Sequence, residues 1–120
     1  VSVTEGVGIV DMNEVMNNHP NLETIRQQMA SLSRQKEQEA RSAYESETDP
    51  NRRAQAVQAK RMELAQEQQK LMAPLYRDCE QAVREVAVRK KLMLVLDKYV
   101  VLIGGVDITQ DVIQQLSRKK

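Results

Sequence analysis

Tryptophan and phenylalanine are absent, and with tyrosine only at 44, 76 and 99, aromatic residues make up 2% of the 120-residue chain. Without large rings the core has to be assembled from aliphatic side chains and stays thin, which argues against a compact enzyme with a deep pocket. Cys79 is the only cysteine, so neither an internal disulfide framework nor a zinc knuckle can form. Its place in an apolar stripe makes it a small buried hydrophobe. His19, also alone, precedes Pro20 at a bend and has no cluster of ligands around it, so no metal site is expected. Charge of one sign is lacking too. Lys and Arg number 18 against 17 Asp and Glu, a net charge of +1. Despite Arg89-Lys90-Lys91 and Arg118-Lys119-Lys120, that balance gives no reason to expect a nucleic-acid partner. No apolar run approaches the ~18 residues of a spanning helix, so stable membrane insertion is not expected. Gly6-x-Gly8 precedes no helix suited to a nucleotide, and no Ser/His/Asp or Cys/His set assembles, so neither cofactor nor catalysis is implied. The opening "VSVTEGVGIVD" lacks the basic and apolar regions of a signal peptide. That leaves a cytoplasmic protein, or one whose signal peptide has been removed.

What the chain does have falls into three zones. Gly6 to Met12 is a short apolar run suited to a buried strand, and "MNEVMNN" supplies a turn or two of helix before His19-Pro20 redirects the chain. From Asn21, a residue type that caps helices, Leu22, Ile25, Met29 and Leu32 recur at three-four spacing, the seam of a helix pairing with another. That seam fades through Lys36 and Glu39 toward Ala43. Glu37, Glu39, Glu45 and Glu47 read as a solvated face. Asp49 then caps and Pro50 starts a second helix, which an apolar stripe through Val57, Leu64, Leu71, Cys79 and Val86 carries to about Lys90. Forty residues at ~1.5 Å each make a rod of ~60 Å, with a kink expected at Pro74. A turn at Asp49-Pro50 sets Met29 against Leu71, Ile25 against Leu75 and Leu22 against Cys79. Toward the turn, Ala40, Ala43, Ala54 and Ala59 bury little area, so a loose tip is expected.

The third zone, "KLMLVLDKYVVLIGG", predicts two strands, Leu92 to Leu96 and Val100 to Ile103, joined by a tight turn at Asp97-Lys98-Tyr99 and closed by Gly104-Gly105. A short helix follows, capped at Asp107 or Thr109, with Ile108, Val112, Ile113 and Leu116 on one face. A lone pair of strands is marginal in water, so the strands from the two ends of the chain are expected to pair. The reading is therefore an α+β protein of one domain. Residues 1–20 and 91–120 form a small β body with short helices, and residues 21–90 form a long antiparallel, coiled-coil-like helical hairpin projecting from it. Strands apolar on both faces need cover that one short helix cannot give. Self-association is expected through Val7, Ile9, Val10, Leu94, Leu96, Val100, Leu102 and Ile103.

"VGIVDMNEVMNNHPNLETIRQQM" and "LVLDKYVVLIGGVDITQDVIQQL" resemble the Skp/OmpH family of periplasmic chaperones for outer-membrane proteins. The resemblance spans the chain in architecture, and its most specific pieces are the "GIVDM" strand and the "DITQDVI" run. It implies a homotrimer whose strands form a β body carrying three helical arms. Unfolded outer-membrane β-barrel proteins would be held between the arms without ATP, in the periplasm, after removal of a signal peptide. Unlike the strongly basic best-known members, this chain is near neutral. Met29, Leu32, Met62 and Leu64 are the candidate client-binding residues. Met29 sits on the packing stripe, whereas Met62 lies off it, where a flexible thioether suits a plastic surface. Two other classes compete: a coiled-coil adaptor or assembly scaffold docking a folded partner, and a nucleic-acid binder, which only the two basic runs suggest; a prefoldin-like cytoplasmic chaperone also has hairpin arms on a β body. Continuous heptads would favour the adaptor, but the seam decays at Lys36, Glu39, Arg61 and Gln68.

Overall fold

Alanine, glutamine, glutamate, lysine and arginine fill the middle of the chain, and these good helix formers make most of the molecule helical. The computed structural model describes residues 6–118, so Lys119 and Lys120 of the basic terminus lie outside the described residues. In order along the chain come β1 (Gly6–Val10), α1 (Met12–Asn17), α2 (Leu22–Ser46), α3 (Pro50–Arg89), β2 (Leu92–Asp97), β3 (Val106–Asp107) and α4 (Thr109–Arg118), with a 3-10 turn at Lys98–Val100. Two compact units result. One takes the chain up to Leu22 and again from Pro74; the other is Glu23–Ala73. The helix α3 continues through Pro74, its only internal proline, where the second unit gives way to the first.

The first unit contains the sheet and the buried core. Its stripe on α3, Leu75, Cys79, Ala82 and Val86, recurs at three-four spacing and is fully buried together with Val15 of α1 and Ile108, Val112 and Leu116 at the start of and along α4. Burial pushes the Cys79 thiol up to about 11, with the charge of Asp78 adding to the shift. Caps set the element boundaries. The Asp11 carboxylate accepts from the Glu14 N–H at 3.2 Å to start α1. The Asp107 carboxylate accepts from the Thr109 N–H at 2.9 Å to start α4. Thr109 in turn accepts from the Asp11 N–H at 3.0 Å and ties the two helix starts together.

His19 is buried rather than merely preceding a bend. Its Nδ1 accepts the Asn21 N–H at 3.0 Å. The ring proton is therefore on Nε2, which donates to Asp78 on α3 at 2.8 Å. One imidazole thus closes the Pro20 corner on both sides.

The strands differ from the expected hairpin. All pairing is parallel, and β1 lies in the centre of the order β2-β1-β3. Val100 to Ile103 form no strand. The Asp97 carboxylate accepts from the Tyr99 N–H at 3.3 Å and starts the 3-10 turn, so the chain leaves β2 without folding back on it. Strands that run in the same direction cannot be joined by a tight turn. The segment instead crosses to the far side of β1, turning at Gly104 and Gly105, whose φ values are +95° and +93°. Only glycine adopts that geometry without strain. A Cβ on Gly105 would also stand 2.5 Å from the Ile9 side chain.

The candidate association residues divide accordingly. Val10 is packed inside the core of its own chain. Val7 pairs with Leu94 and Ile9 with Leu96. These four alternate with the core-facing Gly8, Val10 and Val95, and so share the opposite face of the sheet. Leu94 is 47% exposed on that face. Val100, Leu102 and Ile103, on the crossing segment, are 72%, 95% and 88% exposed.

Candidate functional site

Glu23–Ala73 holds α2 and the first part of α3, and none of its side chains is fully buried. Ile25, Met29, Leu32, Lys36, Glu39 and Ala43 are half-buried at alternating spacings of four and three, as are Val57, Lys60, Leu64 and Leu71 on α3. Side-chain contacts between the two helices run in opposite senses. Gln68 donates to Ser33 at 3.3 Å, Lys36 to Glu63 at 3.1 Å, and Lys60 to Glu39 at 3.0 Å. The helix starting at Pro50 is fixed by Asp49, whose carboxylate accepts from the Asn51 N–H at 3.1 Å.

Where an apolar seam would need leucines, it carries charges. Lys36, its side chain only 12% exposed, lies 3.1 Å from Glu63, 3.5 Å from Glu39 and 3.9 Å from Glu67. Lys60 lies 3.0 Å from Glu39 and 3.3 Å from Glu63. The Lys60 ammonium holds the Glu39 carboxyl below its usual range, and Lys36, then Lys60, does the same to Glu63. Reciprocally, Glu63 raises Lys36, and Glu39, then Glu63, raises Lys60. Glu39 is therefore part of a cross-helix network and not of the solvated face. The sequence signal was present: Lys36 and Glu39 continue the three-four spacing of Leu32, and oppositely charged residues face them across the turn.

Toward the turn Arg53 draws the helices together. Its guanidinium stacks 4.4 Å from the centre of the Tyr44 ring. Its Nε donates to the Tyr44 carbonyl at 3.0 Å and to the Glu47 carbonyl. Two open grooves adjoin here. One of about 520 Å³ lies over Ala40, Tyr44, Val57 and Leu64. The other, of about 460 Å³, shares Tyr44, Val57 and Arg61 and adds Pro50, Arg53 and Ala54. A third, of about 580 Å³, is lined by Leu32 and Leu71 with polar neighbours.

Of the four candidate client-binding residues, Leu64 lines the first groove and Leu32 the third. Met29 is half-buried in the seam, and Met62 is 55% exposed on another side of α3. The four do not form one patch. Arg53 and Tyr44 were not legible as a pair, because they lie nine positions apart with a turn between them.

Among the described residues no three His, Cys, Asp or Glu side chains are grouped to hold a metal, and no helix is long and apolar enough to cross a membrane. The family described as outer membrane protein (OmpH-like) matches residues 45–116, more than half of the chain. The chain belongs to that family. The match runs from the last turn of α2 into α4 and includes the "DITQDVI" run of this OmpH-like protein, while β1, α1 and most of α2 lie before it. No curated protein matches the chain.

Proposed function

We propose that this OmpH-like protein is an ATP-independent holdase that binds unfolded outer-membrane β-barrel proteins in the periplasm and keeps them from aggregating. The family match carries this reading. The chemistry of Glu23–Ala73 supports it: a long two-helix surface with shallow grooves, half-buried aliphatics and mixed charges gives an unfolded chain many weak contacts and no deep pocket. Nothing in that surface selects one folded ligand.

The working form in this proposal is a homotrimer. Val7, Ile9, Leu94 and Leu96 on the outer face of the sheet, with Val100, Leu102 and Ile103 on the crossing segment, are the surface that a second and third copy would cover. The helix pair would serve as the arm of each subunit, and three arms around one client turn weak contacts into retention.

Diluting a denatured outer-membrane protein from urea into buffer with and without the chaperone tests the function by light scattering. About one trimer per client is expected to suppress aggregation without ATP. A variant that lacks everything from Ser33 to Gln68, two residues whose side chains lie 3.3 Å apart across the helix pair, and that bridges Leu32 to Gln69 with a short turn, loses the outer part of both helices. That variant is expected to keep the association and lose the holding. If the shortened protein protects clients as well as the intact one, or if the intact protein fails while binding a folded partner tightly, the adaptor reading takes over.

A further inference from the structure

The two adjoining grooves near the turn carry charges that the helix pair does not compensate. Lys36 and Lys60 on the rim are already met by Glu39, Glu63 and Glu67, and Arg41 is met by Glu37 at 2.8 Å. Arg53 and Arg61 are different. The Nε of Arg53 goes to two neutral carbonyls, which leaves its charge and its terminal nitrogens open to a further acceptor. Arg61 has no ion-pair partner among the described residues. Of the acids lining these grooves, only Glu45 is similarly uncompensated. The floor between the two arginines is apolar: Tyr44, itself half-exposed, Val57 and Ala54.

Geometry narrows the occupant. Arg53 and Arg61 are eight residues apart on one side of α3 with Val57 between them, a separation of about 12 Å along the helix axis. In an extended chain, side chains four positions apart point the same way and lie about 13 Å apart, with a third side chain midway between them. The structure assigns this groove, we infer, to an extended segment of unfolded polypeptide with the pattern acidic-x-apolar-x-acidic. Its apolar side chain would enter over Tyr44 and Val57, and its two carboxylates would meet Arg53 and Arg61. That the occupant is an unfolded chain rests on the chaperone reading above; the spacing and the sign of its charges rest on the groove alone.

Three short labelled peptides test this by fluorescence anisotropy on the full chain: Asp-x-Leu-x-Asp, the same composition rearranged as Asp-Asp-x-Leu-x, and Lys-x-Leu-x-Lys. The first is expected to bind about fivefold tighter than either of the others, the size that two exposed ion pairs provide. Arg61→Glu should abolish that preference and favour the lysine peptide, while Arg61→Lys should retain it. Circular dichroism confirms that the helices persist in both variants. Equal binding of all three peptides, or a preference unchanged in Arg61→Glu, overturns the groove. Aggregation suppression measured in parallel separates the two readings. Suppression without peptide preference removes the groove and leaves the chaperone, whereas peptide preference without suppression keeps the groove and removes the chaperone.

Discussion

Single side chains at the Pro20 corner and in the core carry distinct consequences. His19→Ala removes both the acceptor for the Asn21 N–H and the donor to Asp78, leaves a cavity at a site 7% exposed, and is expected to cost about 2 kcal/mol in urea unfolding at fixed protein concentration. Asp78→Ala should cost less than about 1 kcal/mol, because the Asp78 side chain is 57% exposed and water can replace it. Equal losses in the two variants would show that the imidazole bond to Asp78, and not the corner, carries the effect. Cys79 is a clean control for packing. With the thiol at 0% exposure and its ionisation pushed up to about 11, a thiol reagent at neutral pH should label it only as fast as the core opens, and at once in urea. Stoichiometric labelling of the native protein within seconds would contradict that burial.

At the scale of elements, the charge network governs how α2 and α3 respond to pH. Glu39 and Glu63 are lowered from 4.5, so their stabilisation is complete above that value and is lost as pH falls through their folded values. Lys36 and Lys60 are raised from 10.5, so theirs is complete below that value and is lost as pH rises through their folded values. The helix pair should therefore melt at a lower temperature at about pH 3 than at about pH 7 by far-UV circular dichroism. Lys36→Leu with Glu63→Leu should flatten that dependence, since the network loses its two central members. A dependence unchanged in the double variant would assign the effect elsewhere. The helices and their turn were legible in sequence because Asp49-Pro50 is an unambiguous start signal and aliphatic spacing reports a face without knowledge of the partner. Val100 to Ile103 were misread for the opposite reason: "VVLI" has high strand propensity, but propensity reports only a fit to a pleated surface. Asp97 closes a local turn before the segment reaches a partner strand. The parallel order was hidden as well, because adjacency in sequence suggested a hairpin where the neighbour of β2 is β1, some eighty residues earlier.

For the whole molecule, association is the property from which the proposed function follows. A 13.7 kDa chain with this much apolar surface on one sheet face and on the crossing segment should give a light-scattering mass three times its own, and a monomer mass at micromolar concentration would sink the trimer. Leu96→Asp places an uncompensated carboxylate on the face shared by Val7, Ile9 and Leu94, and should release poorly folded monomers. Leu32→Asp, in the helix pair, should leave the mass unchanged, because it lies in the other compact unit. Dissociation by both variants would mean that the helices, and not the sheet, hold the subunits.

The central position of β1 also dictates an order of events in time. Gly6 pairs with Leu92, and Ile9 with Asp107, so β1 leaves the ribosome with no partner until more than eighty further residues have followed it. The helix pair depends on contacts across its own turn and can form early, whereas the sheet must wait for closure of a loop of more than eighty residues. An emerging chain therefore presents Val7, Ile9 and Val10 bare until β2 has been made. In refolding experiments the helical signal should return in a fast phase, with protection of the β1 amides following in a slower one, and a variant shortened between Ser33 and Gln68 should narrow the gap between the two.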